Sequence, residues 1–147
     1  MPNLFDPANK WIVYALLGAL TAALVSFFGK IGMEGIDSDL ATTVRSIVQM
    51  LFVVLVALGF GLQSKIGTLH RKALLMIVLS GIAGGASWIF SFRALRLNQI
   101  SRVAPLDKLS VPIAAVLAVI FLGEPVGWKN WAGIALITGG AYLVAMK

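Results

Sequence analysis

The chain has 147 residues, of which 59% are apolar, and a mean hydropathy of +0.94. Twelve basic and six acidic residues give it 18 charged side chains, about half the share of a soluble domain. One compact core of this size cannot bury about 87 apolar side chains, so much of that surface must face lipid. These figures exclude a water-soluble protein and predict an integral membrane protein.

Residue usage excludes several classes of function. The chain has no cysteine and a single histidine, His70, in a polar connection, so we expect no disulfide, no thiolate chemistry and no metal site. It contains no phosphate-binding loop and no nucleophile with its base, so we expect neither catalysis nor a cofactor. The basic residues stand singly between hydrophobic runs, which is typical of topology signals and not of nucleic-acid binding.

Hydrophobic runs, taken in chain order, predict five transmembrane helices in an all-α fold. Each run can cross the hydrocarbon layer at about 1.5 Å per residue, and lipid leaves no partner for an open backbone. The first run has no convincing cleavage site and is expected to be retained. Short connections, with Ser38–Asp39 as a predicted N-cap pair and Gly123 as a C-terminal cap, favour a single transmembrane domain over residues 1–147. The predicted spans are 11–29, 40–62, 73–92, 103–122 and 128–146.

Basic residues are balanced between the two sides of the predicted bundle. Each side carries five, and Arg45 and Lys108 lie inside spans. An excess of basic residues in cytoplasmic loops normally sets orientation, so this balance predicts that both orientations occur and that opposite copies pair about an axis in the membrane plane. The alternative is a single orientation set by Arg71 and Lys72. The N-terminal side has Lys10, Lys65, Arg71, Lys72 and Lys129, and the opposite side has Lys30, Arg93, Arg96, Arg102 and Lys147.

Four spans are expected to bring polar or aromatic side chains to one depth. Counted from the side opposite the N-terminus, this layer lies about 6 to 8 Å inside the boundary. A charge at mid-span costs about 2.5 to 3.5 kcal/mol on insertion scales, so the three charged members are expected to face the bundle interior. Gln49 follows Arg45 by one helical turn and extends the same face. The residues predicted to bind solute are Ser26, Arg45, Gln49, Trp88, Asp107 and Lys108.

Two interpretations of the charged layer stay open. In the structural one, Arg45 and Asp107 form an ion pair between helices two and four, while Lys108 reaches the headgroups. In the functional one, the same residues line a solute cavity. Pro105 and Pro112 remove backbone donors on either side of Asp107 and Lys108, so carbonyls there are free to face a ligand or water.

Trp88 differs from the other three tryptophans. Trp11, Trp128 and Trp131 fall at one predicted boundary and form an aromatic belt. Trp88 lies instead within the stretch 87–92, which combines two serines with aromatic residues. Its indole is expected either to form a cavity wall that stacks on a planar or cationic solute, or to pack against lipid.

A series of short motifs occupies the second half of the chain. Ala94–Leu95 comes first, followed by an Ala-Pro-Leu helix entry within 101–106, Val111–Pro112, a Leu-Gly-Glu exit within 121–124 and a Gly-rich last span over 133–140. In this order they resemble the EamA domain of the drug/metabolite transporter superfamily. Helix count and the position of Arg45 extend the resemblance to the first half. It implies a secondary transporter of small polar or amphipathic metabolites, such as amino acids, often moved outward.

Members of that superfamily usually have ten helices in two inverted five-helix repeats, and this chain resembles one repeat. The resemblance therefore implies a homodimer of antiparallel copies, alternating access, no enzymatic activity, and a location in the plasma membrane of a prokaryote. It also makes Gly123–Glu124 a structural turn. The alternative is a non-transporting structural or regulatory subunit, or one half of a heterodimeric transporter.

Overall fold

The computed structural model describes residues 9–146, and the regular structure within that range is helical throughout. The prediction of an all-α fold is confirmed. Lys147, which was counted among the basic residues of one side, lies outside the described residues. The helices are α1 (Lys10–Gly32), α2 (Ser38–Gly59), a 3₁₀ helix (Leu62–Thr68), α3 (Arg71–Leu97), α4 (Ile100–Asp107), α5 (Ser110–Leu117), a π-helical turn (Ala118–Leu122) and α6 (Trp128–Ala145).

Four helical segments among the described residues are long and apolar enough to cross a membrane. They are α1, α2, α3 and the segment Ile100–Leu122 that joins α4, α5 and the π-helical turn. Large apolar side chains along them are exposed, with Phe52 at 66% and Leu55 at 67%, and such a surface requires lipid around it. α6 is not among the four, although its 18 residues reach about 27 Å. A fifth span at α6 therefore stays a prediction.

The start of α2 corrects the predicted N-cap. Asp37, and not the pair Ser38–Asp39, caps this helix. The Asp37 backbone is extended, and its Oδ1 accepts hydrogen bonds from the backbone N–H of Asp39 at 2.8 Å and of Leu40 at 3.2 Å. Ser38 and Asp39 already have helical conformation, so their side chains cannot reach the free amides that a cap satisfies. α2 also ends earlier than predicted, at Gly59, because Leu62 begins the 3₁₀ helix.

The turn after the fourth span confirms the predicted glycine cap. Gly123 has φ +66°, in the left-handed region that glycine adopts without strain. The backbone N–H of Glu124 donates to the Ala118 carbonyl at 3.3 Å across this turn. The chain is thereby turned out of the helix just before Pro125, as a C-terminal glycine cap requires.

The fourth span is broken, whereas the sequence predicted one continuous helix over 103–122. α4 ends at Asp107 and α5 begins at Ser110. Pro112 has no N–H to offer the Lys108 carbonyl, which accepts instead from Val111 N–H at 2.9 Å. The Asp107 carbonyl accepts from the Ser110 hydroxyl at 2.7 Å. Local hydrogen bonds therefore reach the Asp107 and Lys108 carbonyls at this break.

The chain divides into two compact units at the end of α3, Met1–Arg96 and Leu97–Lys147. In the first unit, buried side chains gather where α1 ends, α2 begins and α3 ends. In the second, α4 and α5 pack against α6. The buried residues are Met33, Ser38, Thr42, Phe92 and Leu95 in the first unit, and Val103 and Ala141 in the second.

Candidate solute-binding site

An arginine stacked on an aromatic pair lies inside the first unit. The Arg45 guanidinium carbon is 3.8 Å from the centroid of the Trp88 ring and 5.5 Å from that of Phe92. Trp88 and Phe92 stand one turn apart on α3 and pack edge to face, with centroids 6.0 Å apart. The negative faces of the rings attract the cation and stabilise the guanidinium at this position. Trp88 thus supports Arg45, a role that the sequence analysis did not propose.

The aromatic pair depends on a close approach between α1 and α3. Phe92 is 1% exposed and its ring lies against Gly29. A Cβ atom at position 29 would be 2.7 Å from Phe92 Cζ and 3.1 Å from Cε1, distances shorter than van der Waals contact. Gly29 therefore leaves the space that the Phe92 ring occupies beneath Arg45 and Trp88.

Replacing Gly29 by alanine is expected to destabilise the protein by about 1 to 3 kcal/mol, because a buried ring must leave its rotamer or the two helices must move apart. The free energy of unfolding, measured by denaturant titration in mixed micelles, reports this loss. Gly18→Ala is the matched control, since nothing lies within 4 Å of a Cβ there and alanine favours a helix. If both substitutions had the same effect, the contact of Phe92 with Gly29 would not contribute to stability.

A cavity of about 600 Å³ opens between α1 and the first turns of α2. Its walls are almost entirely apolar. Arg45 supplies the one charged side chain among the lining residues that the structure describes, and Phe92 closes the cavity on the side of α3. The lining residues are Thr21, Leu24, Val25, Phe28, Gly29, Gly32, Ile36, Leu40, Ala41, Val44, Arg45 and Phe92.

Within the described residues, Nη1 of Arg45 is buried and has no hydrogen-bond partner. A buried donor on a charged group costs more than the 1 to 3 kcal/mol that is typical of a neutral one. The cation–aromatic contact with Trp88 offsets only part of that cost. Arg45 is therefore a cation with one buried, unpartnered nitrogen beside an apolar cavity.

Two other predicted site residues belong to the same unit. Ser26 is half-buried, and its hydroxyl donates to the Ala22 carbonyl of its own helix at 3.3 Å. Gln49 is exposed one turn after Arg45. Neither belongs to the described lining of the cavity. The structure thus brings Arg45 and Trp88 together, while the roles of Ser26 and Gln49 stay predictions.

Asp107 and Lys108 belong to the second unit, at the end of α4. Both side chains are exposed within the described chain. The break between α4 and α5 sets Lys108 in a turn, where its N–H donates to the Pro105 carbonyl at 3.1 Å. Their predicted contribution to a solute site stays a prediction.

A second cavity, of about 390 Å³, lies between α2 and α3. Thr42, Thr43 and Ser46 line it with hydroxyl groups. Each of these hydroxyls donates to the carbonyl four residues earlier in α2, at 2.8 Å. The hydrogens of these three hydroxyl groups are therefore used within α2 itself. The second cavity is for this reason a weaker candidate for a ligand site than the cavity beside Arg45.

α3 extends to Leu97, five residues beyond the predicted span, and its last turns carry two arginines. Arg93 and Asp39 form a bidentate ion pair. Arg93 Nε donates to Asp39 Oδ1 at 2.8 Å, and Arg93 Nη2 donates to Asp39 Oδ2 at 2.5 Å. Asp39 lies in the first turn of α2, and not at the N-cap as predicted. Because both residues were expected outside the spans, their pairing was not predicted. Opposite charges at facing ends of two spans were the available signal.

Further contacts reinforce this end of the unit. Arg96 Nη1 donates to the Ile36 carbonyl at 2.5 Å and lies 3.8 Å from Asp37 Oδ2. Lys30 Nζ donates to the Leu95 carbonyl. Together with the Arg93 pair, these contacts tie the end of α3 to the end of α1, the loop after it and the start of α2, and we call them the end clamp. Its side chains are Lys30, Asp37, Asp39, Arg93 and Arg96.

Comparison with known proteins places these features in a family. Residues 9–146 match the model of the EamA-like transporter family. A protein from Sinorhizobium sp. with the name "Uncharacterized transporter in cobO 3'region" is 42% identical over 139 residues, which cover 95% of this chain and 99% of that protein. No solved structure matches significantly. The resemblance in the helix-four motifs is thus confirmed across the described length, and the chain belongs to the EamA-like transporter family.

Proposed function

We propose that this multi-pass membrane transporter carries small polar or amphipathic metabolites, such as amino acids, as a homodimer of antiparallel copies in a prokaryotic plasma membrane. Membership of the family supports a transporter of the drug/metabolite type. In the proposed architecture α6 provides the fifth span, and residues 1–147 act as one repeat. The solute crosses by alternating access, either outward or down its gradient.

The observation that carries this proposal is Arg45. A guanidinium within an apolar helix is retained at a cost, and such residues commonly mark a substrate pathway. Arg45 borders a cavity of about 600 Å³, a volume typical of small-molecule sites. Its unpaired Nη1 distinguishes it from a cation that is already satisfied by structural partners.

Two observations support the antiparallel dimer. Basic residues are equal in number on the two predicted sides, which removes the usual reason for a single orientation. The Sinorhizobium relative is covered to 99%, so it is about as long as this chain. Pairing two such repeats with opposite orientation would generate the inverted symmetry that many transporters encode within one chain.

The end clamp supplies an element that can open and close. In an antiparallel dimer the clamps of the two copies would face opposite sides of the membrane. Opening one clamp while the other stays closed would give the cavity access to one side at a time. Exposed ion pairs suit this role because water can replace their partners at little cost.

Transport should stop when the clamp is linked covalently. Because the chain has no cysteine, Asp39→Cys with Arg93→Cys creates a unique pair of thiols. We expect a short bis-methanethiosulfonate reagent to abolish uptake of labelled metabolites into proteoliposomes, and a reducing agent to restore it. The same double variant without the reagent, and each single variant with it, are the controls.

Full uptake through a chain shown by mass spectrometry to be cross-linked would contradict alternating access at this end. Failure of the unmodified protein to move any solute of a broad metabolite library would contradict the transport function itself. The result would then favour the alternative of a non-transporting subunit or half of a heterodimer.

A further inference from the structure

We infer that the cavity between α1 and α2 takes an amphipathic monoanion, with a carboxylate on Arg45 and an apolar body against the two helices. This inference rests on the proposed function and narrows its substrate class to carboxylic acids that lack an amino group. Arg45 is the one ionised side chain in the described lining, so the site favours anions over cations.

The geometry of Arg45 suits a carboxylate. The Trp88 ring lies 3.8 Å from the guanidinium carbon, and the edge of the guanidinium carries its hydrogen-bond donors. That edge is a planar fork of N–H groups, which matches the two oxygens of a carboxylate. Nη1 is buried and has no partner in the described chain, so no described protein group competes for this part of the guanidinium.

The rest of the lining selects against an amino group on the ligand. No carboxylate lines the described cavity, and the one side-chain oxygen in its described lining, Thr21 Oγ1, is an uncharged acceptor. An ammonium group would therefore lose its water without gaining an anionic partner. A zwitterionic amino acid should consequently bind more weakly than the carboxylic acid that has the same apolar body.

The apolar body has a defined place. Leu24, Phe28 and Val44 contribute branched and aromatic surface to a volume of about 600 Å³, enough for an aromatic ring and a short chain. Burial of that surface supplies affinity, while Arg45 fixes which end of the ligand enters first. A small inorganic anion would gain the charge interaction alone.

Three ligands with one ring system and different charges test the inference by isothermal titration of the purified full chain in detergent. They are 3-phenylpropionate, phenylalanine and phenethylamine, respectively a monoanion, a zwitterion and a cation. We expect 3-phenylpropionate to bind at least about tenfold more tightly than phenylalanine, and phenethylamine not to bind. Acetate, which lacks the ring, should bind weakly.

Variants of the protein test whether 3-phenylpropionate binds in the cavity beside Arg45. Arg45→Gln should weaken 3-phenylpropionate by about tenfold or more, whereas Lys65→Gln, which removes a charge from the 3₁₀ helix outside the cavity, should leave it unchanged. Ala41→Leu fills part of the cavity while Arg45 stays in place, and it should also weaken binding. If Arg45→Gln fails to fold, Ala41→Leu and the ligand series still test whether the cavity binds a carboxylate.

Equal binding of the zwitterion and the monoanion would overturn the inference, and so would 3-phenylpropionate affinity that is indifferent to both variants. An anionic lipid is the other source of such a ligand. If phosphatidylglycerol in nanodiscs stabilises the protein through Arg45 while 3-phenylpropionate has no effect, the small-molecule inference is wrong. Uptake of other solutes without 3-phenylpropionate binding would refute only this inference, and binding without any uptake would refute only the transport function.

Discussion

Adding two lysines to one side of the bundle is expected to lock the chain in one orientation and to abolish transport. Gln63→Lys with Asn130→Lys raises the N-terminal side from five basic residues to seven, against five on the other side. Such a bias normally fixes orientation, so the antiparallel partner disappears. Reporters fused to the C-terminus, each active on one side of the membrane, should both give signal in the native chain and only one in the variant.

The matched control places one lysine on each side. Gln63→Lys with Gln99→Lys adds the same charge but keeps the count equal, so both reporters and transport should survive. Glu34→Lys with Gln99→Lys locks the opposite orientation. Co-expression of the two locked variants should restore transport that neither supports alone. Signal from one reporter only in the native chain would show that the dimer is not antiparallel.

Removal of the Arg45 charge is expected to reduce transport strongly and to leave the stability of the protein almost unchanged. Arg45→Met keeps an unbranched side chain on the face of Trp88 and loses a cation–aromatic contact of about 0.5 to 2 kcal/mol, offset by relief of the unpaired Nη1. The melting temperature should change little. Uptake should fall by roughly 10- to 100-fold, because an anchoring charge-assisted hydrogen bond is lost.

A structural ion pair between Arg45 and Asp107 predicts the reverse pattern. Arg45→Met would then strand a carboxylate and destabilise the protein by about 3 to 5 kcal/mol, and Asp107→Asn in the same chain would largely restore stability. Lys65→Met provides the control for loss of a basic residue elsewhere. Strong destabilisation that Asp107→Asn rescues would assign Arg45 to pinning and remove it from the solute site.

Local rules explain which features could be read from the sequence. The glycine cap at Gly123 depends on one residue and its immediate neighbours, and it is confirmed. The α2 cap was displaced by one residue, because Asp37, Ser38 and Asp39 all have side chains that can cap a helix and only the backbone decides between them. The break after Asp107 shows the limit of hydropathy, which measures how apolar a segment is and not whether its helix is continuous.

The sequence by itself determined that the protein lies in lipid, that it is helical, which family it belongs to, and that it carries a charge at Arg45. Hydropathy, motif order and residue type are sufficient for these conclusions, because they do not depend on how the chain folds. Only the tertiary structure decided the surroundings of that charge. The stack on Trp88, the approach of Phe92 to Gly29 and the Arg93–Asp39 pair each join residues more than 40 positions apart. Such contacts depend on how α1, α2 and α3 cross and on which rotamers fit between them, and helical periodicity restricts the face of each helix without specifying its partner.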